Sequence, residues 1–80
     1  MTKIEHQKCE KMMERAFLKA HQSESDFAES ERHLKDGNEL EWETFQRKSD
    51  QEYGEACGIY DTLQALGYKH TRMKELADLI

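Results

Sequence analysis

The sequence predicts an all-α protein: an antiparallel two-helix hairpin with a short C-terminal helix, completed to a four-helix-type bundle by a second copy as a homodimer. Three observations lead there. Proline and valine are absent and the β-branched residues number only three Ile and four Thr, while Glu, Lys, Gln, Leu, Ala, Met and Arg dominate the 80 residues. Apolar and small side chains recur every seven residues on both sides of one turn signal. That signal is Asp36-Gly37-Asn38, where Gly and Asn accept the left-handed backbone that ends a helix.

The first helix is expected over about 2–35. His6, Met13, Ala20, Phe27 and Leu34 form one row, and Thr2, Cys9, Ala16, Ser23 and Ser30 the alternate one. Ser23-Glu24-Ser25-Asp26 is rich in cap formers, yet the seven-residue register passes through it, so the helix is read as continuous. The turn occupies 36–38. The second helix follows over about 39–66, with Asn38 and Glu41 as a variant capping box. Its rows are Trp42, Ser49, Ala56, Leu63 and Phe45, Glu52, Ile59, Leu66. Folding at the turn pairs residues whose numbers sum to roughly 76: Leu34 with Trp42, Phe27 with Ser49, Ala20 with Ala56, Met13 with Leu63. Ser23 then falls near Glu52 and offers that seam carboxylate a hydroxyl. Gly67-Tyr68 has the form of a helix end, with Tyr68 folding back onto Leu63. Thr71 then caps a short helix over about 71–79 whose Met73, Leu76, Ala77 and Ile80 share a face. The competing pattern is an unbroken register in which Met73 and Ile80 continue the row of Ile59 and Leu66.

A single hairpin covers only one stripe of each helix, and a chain this short buries only about 60% of its unfolded surface. Met12, Phe17, Leu18, Tyr53, Cys57 and Tyr60 widen the apolar stripe beyond the two-helix seam. Met12, Phe17, Tyr53, Cys57, Tyr60, Met73, Leu76 and Ile80 are therefore the expected surface for a second copy or a partner. Gly54 and Gly58, spaced by four, mark places where another helix comes close.

The net charge of −5 is unevenly placed. Residues 23–61 hold twelve acids and four bases, whereas both terminal segments are mildly basic, with Lys8, Lys11, Arg15 and Lys19 at helical spacing and Lys69, Arg72 and Lys74 beyond the second helix. The turn end is thus acidic, and an antiparallel dimer would match unlike ends. Glu39, Glu41, Trp42 and Glu43 present carboxylates and a ring there to a basic protein.

Nothing points to catalysis, and no cofactor is expected. Glu52 beside Tyr53 is the one polar residue whose placement solvent does not explain, and a hydrogen bond to Ser23 or to a second chain accounts for it; phosphate loops, nucleophile elbows and triad spacings are lacking. His6, Cys9 and His70 could share a level at the open end and form a metal site, but no fourth ligand or paired-ligand spacing supports them. Lys69, Arg72 and Lys74 support the alternative of a small DNA-binding regulator, opposed by the acidic middle. The longest apolar run is Ala16-Phe17-Leu18, against about 20 residues for a bilayer span, so a cytoplasmic chain without a membrane partner is expected. Cys9 and Cys57 are expected to be reduced thiols.

The stretch Tyr53-Gly54-Glu55-Ala56-Cys57-Gly58-Ile59-Tyr60-Asp61-Thr62-Leu63-Gln64-Ala65-Leu66-Gly67-Tyr68 resembles the second helix of small accessory proteins of lambda-type bacteriophages and prophages. It covers about a quarter of the chain. The resemblance implies an acidic helical hairpin, often self-associating, that binds and modulates a host protein; it carries over no catalytic residues. The expected function is accordingly a non-enzymatic protein-interaction module.

Overall fold

The computed structural model describes residues 1–80 and contains three helices, α1 (Lys3–Lys35), α2 (Glu39–Ala65) and α3 (Arg72–Leu79). The first two pack antiparallel in a molecule 52 Å long and 17 × 16 Å across. A full capping box starts α1: the Thr2 hydroxyl accepts the Glu5 N–H at 3.2 Å, and the Glu5 carboxylate accepts from the Thr2 hydroxyl at 3.0 Å and backbone N–H at 3.4 Å. Those two donors hold the Glu5 carboxyl below its ordinary pKa. The helix continues through Ser23-Glu24-Ser25-Asp26 without a break.

Both chain reversals are the same device. At the first, Gly37 has φ 75°, its N–H donates to Leu34 O and the Asn38 N–H to His33 O. At the second, Gly67 has φ 74°, its N–H donates to Gln64 O and the Tyr68 N–H to Leu63 O. These are Schellman closures, which satisfy the last carbonyls of a helix and need a residue that tolerates positive φ. Asn38 then opens α2, its side chain accepting the Glu41 N–H at 3.3 Å. One half of the expected capping box is formed. Thr71 makes no side-chain cap; His70 Nδ1 accepts the Arg72 N–H at 3.1 Å instead, because Thr71 already has helical backbone angles.

The break at Gly67 sends α3 back along α1 instead of extending α2. Tyr68 joins Cys9, Met13, Ala16, Phe17, Leu63 and Leu76 in one apolar cluster, against which Met12, Ile59, Tyr60, Met73 and Leu79 pack. Leu63 and Leu76 are 0% exposed. This core lies in the open half of the hairpin, away from the turn.

Toward the turn the seam becomes polar. The Ser23 hydroxyl donates to Ser49 O and the Ser49 hydroxyl to Ser23 O, both at 2.9 Å. Ser30 donates to Phe27 O at 2.7 Å and lies 3.2 Å from Gln46 Oε1. The expected Ser23–Glu52 pair is therefore replaced by Ser23–Ser49. Two short hydroxyls reach across to each other's backbone where the helices approach closely, which satisfies both buried groups without a carboxylate. Phe27, expected opposite Ser49 within the seam, stands 45% exposed. Near the turn the aromatic contact is His33 stacked on Phe45 at 5.3 Å.

Gly54 and Gly58 do not mark a close approach within the chain, since a Cβ at either would meet nothing within 4 Å. Both lie inside α2, where Gly costs about 0.5–1 kcal/mol relative to Ala. Gly54→Ala and Gly58→Ala are each expected to raise stability by about that amount, read as a higher urea midpoint at constant slope. A gain in stability accompanied by loss of self-association would place a second molecule against that glycine.

Candidate functional site

At the open end, the Tyr68 ring sits between two imidazoles, 6.1 Å from His6 and 6.0 Å from His70. Burial, followed by nearby Glu10, Cys9 and Glu14, pushes the Tyr68 hydroxyl above its ordinary pKa. Cys9 is buried with its Sγ 3.9 Å from Met1 Sδ. Because the tyrosine ring occupies the space between the histidines, His6, Cys9 and His70 do not converge as metal ligands; no group of three such side chains is assembled. Cys9 and Cys57 are free thiols.

The residues expected at an interface divide. Phe17 is 5% exposed, covered by α3 and by the Arg72 guanidinium 4.2 Å from its ring centroid; Leu76 is wholly buried. These two serve packing within one chain, correcting their assignment to an outer surface. Met12, Tyr60 and Met73 are half-buried against the core. Cys57 and Ile80 are half-buried and Tyr53 is 46% exposed, so these stay reachable. Of the basic segment, Arg72 is held between Phe17 and Glu75, the latter at 3.7 Å, while Lys69 and Lys74 remain exposed. Glu39, Glu41 and Glu43 are exposed at the acidic end and Trp42 is half-buried beside them.

Several grooves run along the hairpin, two of them lined by carboxylates from both α1 and α2. One, about 490 Å³, is wholly polar and includes Lys19, Lys48, Asp26, Glu52 and Glu55. Lys19 Nζ is 3.3 Å from Glu55 Oε2, an ion pair not aligned as a hydrogen bond. Glu52 Oε1 is shut off from solvent with no partner. Its carboxyl is pushed up to about 7, first by desolvation and then by the Asp26 carboxylate, with Lys19 and Lys48 opposing. The folded chain therefore holds this proton more tightly than the unfolded chain, whose carboxyl sits near 4.5. The stabilisation from Glu52 is complete below about 4.5 and is lost as pH rises through about 7. Glu52→Gln is expected to raise the thermal midpoint relative to wild type above about pH 7 and to leave it unchanged near pH 4. Equal shifts at both pH values would rule out titration of this carboxyl as the cause.

The second groove lies on the side of the hairpin that α3 occupies. Past Leu79 it stays open for about 300 Å³, floored by the Ser23–Ser49 pair and walled by Phe27 and Tyr53, with Glu24 and Asp50 along it. No lysine or arginine lines it. The exposure of Phe27 and the acids beside it were not singled out from the sequence; the available signal was the placement of Phe27 two heptads beyond Met13, where a straight helix has drifted about 40° from a seven-residue seam.

No helix is long and apolar enough to cross a membrane. Comparison with known protein families, with characterised proteins and with solved structures finds no match.

Proposed function

We propose that this chain is a non-enzymatic protein-interaction module that binds a partner protein through the turn-end half of its hairpin. One observation carries the reading. Phe27 and Tyr53, 45% and 46% exposed, flank one groove within a segment of twelve acids and four bases, whereas the other large exposed apolar residues, Met1, Ile4, Leu18, Leu34, Leu40 and Leu66, line neither groove described above. Single exposed apolar residues are ordinary on a soluble surface, but a ring pair flanking a groove is the form of an anchor site. The resemblance to small acidic phage accessory proteins supports a host protein as partner.

The charge asymmetry favours a homodimer as the second reading, the acidic turn end of one hairpin lying against the basic end of another. Affinity capture from extracts of the source organism, run beside sedimentation velocity, separates the two. A stoichiometric partner retained by wild type and lost by Phe27→Ser/Tyr53→Ser supports the first. A doubling of mass abolished by the same substitutions supports the second. A non-associating monomer that captures nothing overturns both.

A further inference from the structure

We infer that the open half-groove between Phe27 and Tyr53 receives a cationic amphipathic helix of the partner protein. This deepens the proposed interaction function by naming the chemistry of what binds.

The groove is already a helix seat over part of its length. The eight residues of α3 span about 12 Å, and Leu79 ends at the mouth of the unfilled stretch. Within its own half, α3 shows how a helix is held there: one leucine, Leu76, fully buried against the hairpin, and one arginine, Arg72, laid 4.2 Å from the Phe17 ring centroid. The unfilled stretch toward the turn offers the same two kinds of contact without an occupant from this chain. Phe27 and Tyr53 supply apolar walls and ring faces, the latter a favourable seat for a guanidinium.

Charge decides between classes of helix. Glu24 and Asp50 line the open stretch with no cation among its lining residues, and the surrounding turn-end segment is strongly acidic. An acidic helix would meet repulsion along its length, and a neutral one would leave both carboxylates unmatched. A helix with leucine-type residues on one face and Lys or Arg beside them matches the walls and the rim together. The outward side of α3 is mixed, with Lys74, Glu75 and Asp78, and in α1 Lys8, Lys11 and Arg15 stand among Glu10 and Glu14, so a second copy offers no purely cationic face and makes a poorer match.

The test uses the full chain and a labelled synthetic helical peptide of about 15 residues, more than enough to span the unfilled stretch at 1.5 Å per residue, built from leucine, alanine, lysine and arginine. Fluorescence anisotropy is expected to show saturable binding that weakens with salt, and amide shifts are expected to cluster around residues 23–27 and 49–53. Phe27→Ser/Tyr53→Ser and, separately, Glu24→Lys/Asp50→Lys should each weaken binding at least about tenfold. These side chains are exposed or line an open surface, and circular dichroism checks that the variants stay helical. The same peptide with glutamate in place of its cations should not bind. The inference is overturned if the cationic peptide fails to bind, if neither double variant changes its affinity, or if the shifts map to the polar groove. It is overturned in favour of self-association if wild type is dimeric through Phe27 and Tyr53. Failure of the peptide together with a protein partner lost by the Phe27/Tyr53 variant would remove the cationic helix and keep the interaction module.

Discussion

Leu63→Ala is expected to cost about 2–5 kcal/mol, a large part of the roughly 4–12 kcal/mol available to a domain of this length. Leu63 is the only α2 residue in the main apolar cluster that is fully buried; α1 supplies four members and the remaining two are Tyr68 and Leu76. It is therefore the point where all three helices are joined. Its carbonyl also accepts the Tyr68 N–H at 3.0 Å, so the same residue fixes the turn that returns α3. Truncation leaves a void in the cluster that holds Met13 and Leu76, both already fully buried, and the closely packed seam, where Ala16, Ala20 and Ala56 are also buried, resists collapse into it. The measurement is a urea titration, with a midpoint well below wild type and an unchanged slope. Leu63→Met, which keeps the volume, should lose less than about 1.5 kcal/mol. A loss from Leu63→Ala as small as that of the methionine variant would show that the serine seam, not this cluster, holds the hairpin together.

The helices and the reversal of the chain were legible because local rules set them. Seven-residue rows mark the seam, and Gly37 and Gly67 stand where a helix end requires positive φ. What escaped depends on azimuth and on choice of partner. A seven-residue pattern carries no information on drift, so the rows put Phe27 in the seam although the helix turns it toward the side groove. Level alone pairs Ser23 with Glu52. In the fold, the close approach of two small residues lets each hydroxyl reach the opposite carbonyl, leaving Glu52 beside Asp26. The apolar face of the last helix was legible too, but Met73 and Leu76 would satisfy their own hairpin or a neighbour's equally well. The return geometry at Gly67 and the seating of Tyr68 decide for their own hairpin, and these are three-dimensional facts.

That choice can be reversed by a single substitution. Leu76 is the one buried residue of α3, and an isolated helix of eight residues has too few hydrogen bonds to survive unaided. Leu76→Ala removes about 2–5 kcal/mol of burial from an element otherwise held by the half-buried Met73 and Leu79 and the Arg72–Phe17 contact, so α3 is expected to detach and unfold while α1 and α2 persist. Hydrogen exchange should show amides 72–79 unprotected and the hairpin amides still protected, a pattern distinct from the global loss in Leu63→Ala. Detachment uncovers Phe17, which α3 and Arg72 otherwise cover, and restores a continuous apolar stripe along the hairpin. Two hairpins can then bury that stripe against each other as a four-helix bundle, the arrangement that the sequence pattern alone favours. Sedimentation should accordingly find Leu76→Ala more strongly self-associating than wild type. A detached α3 in a chain that stays as monomeric as wild type would mean that Phe17 and its neighbours are too little surface to join two copies, and that the groove serves helices no larger than the one it already holds.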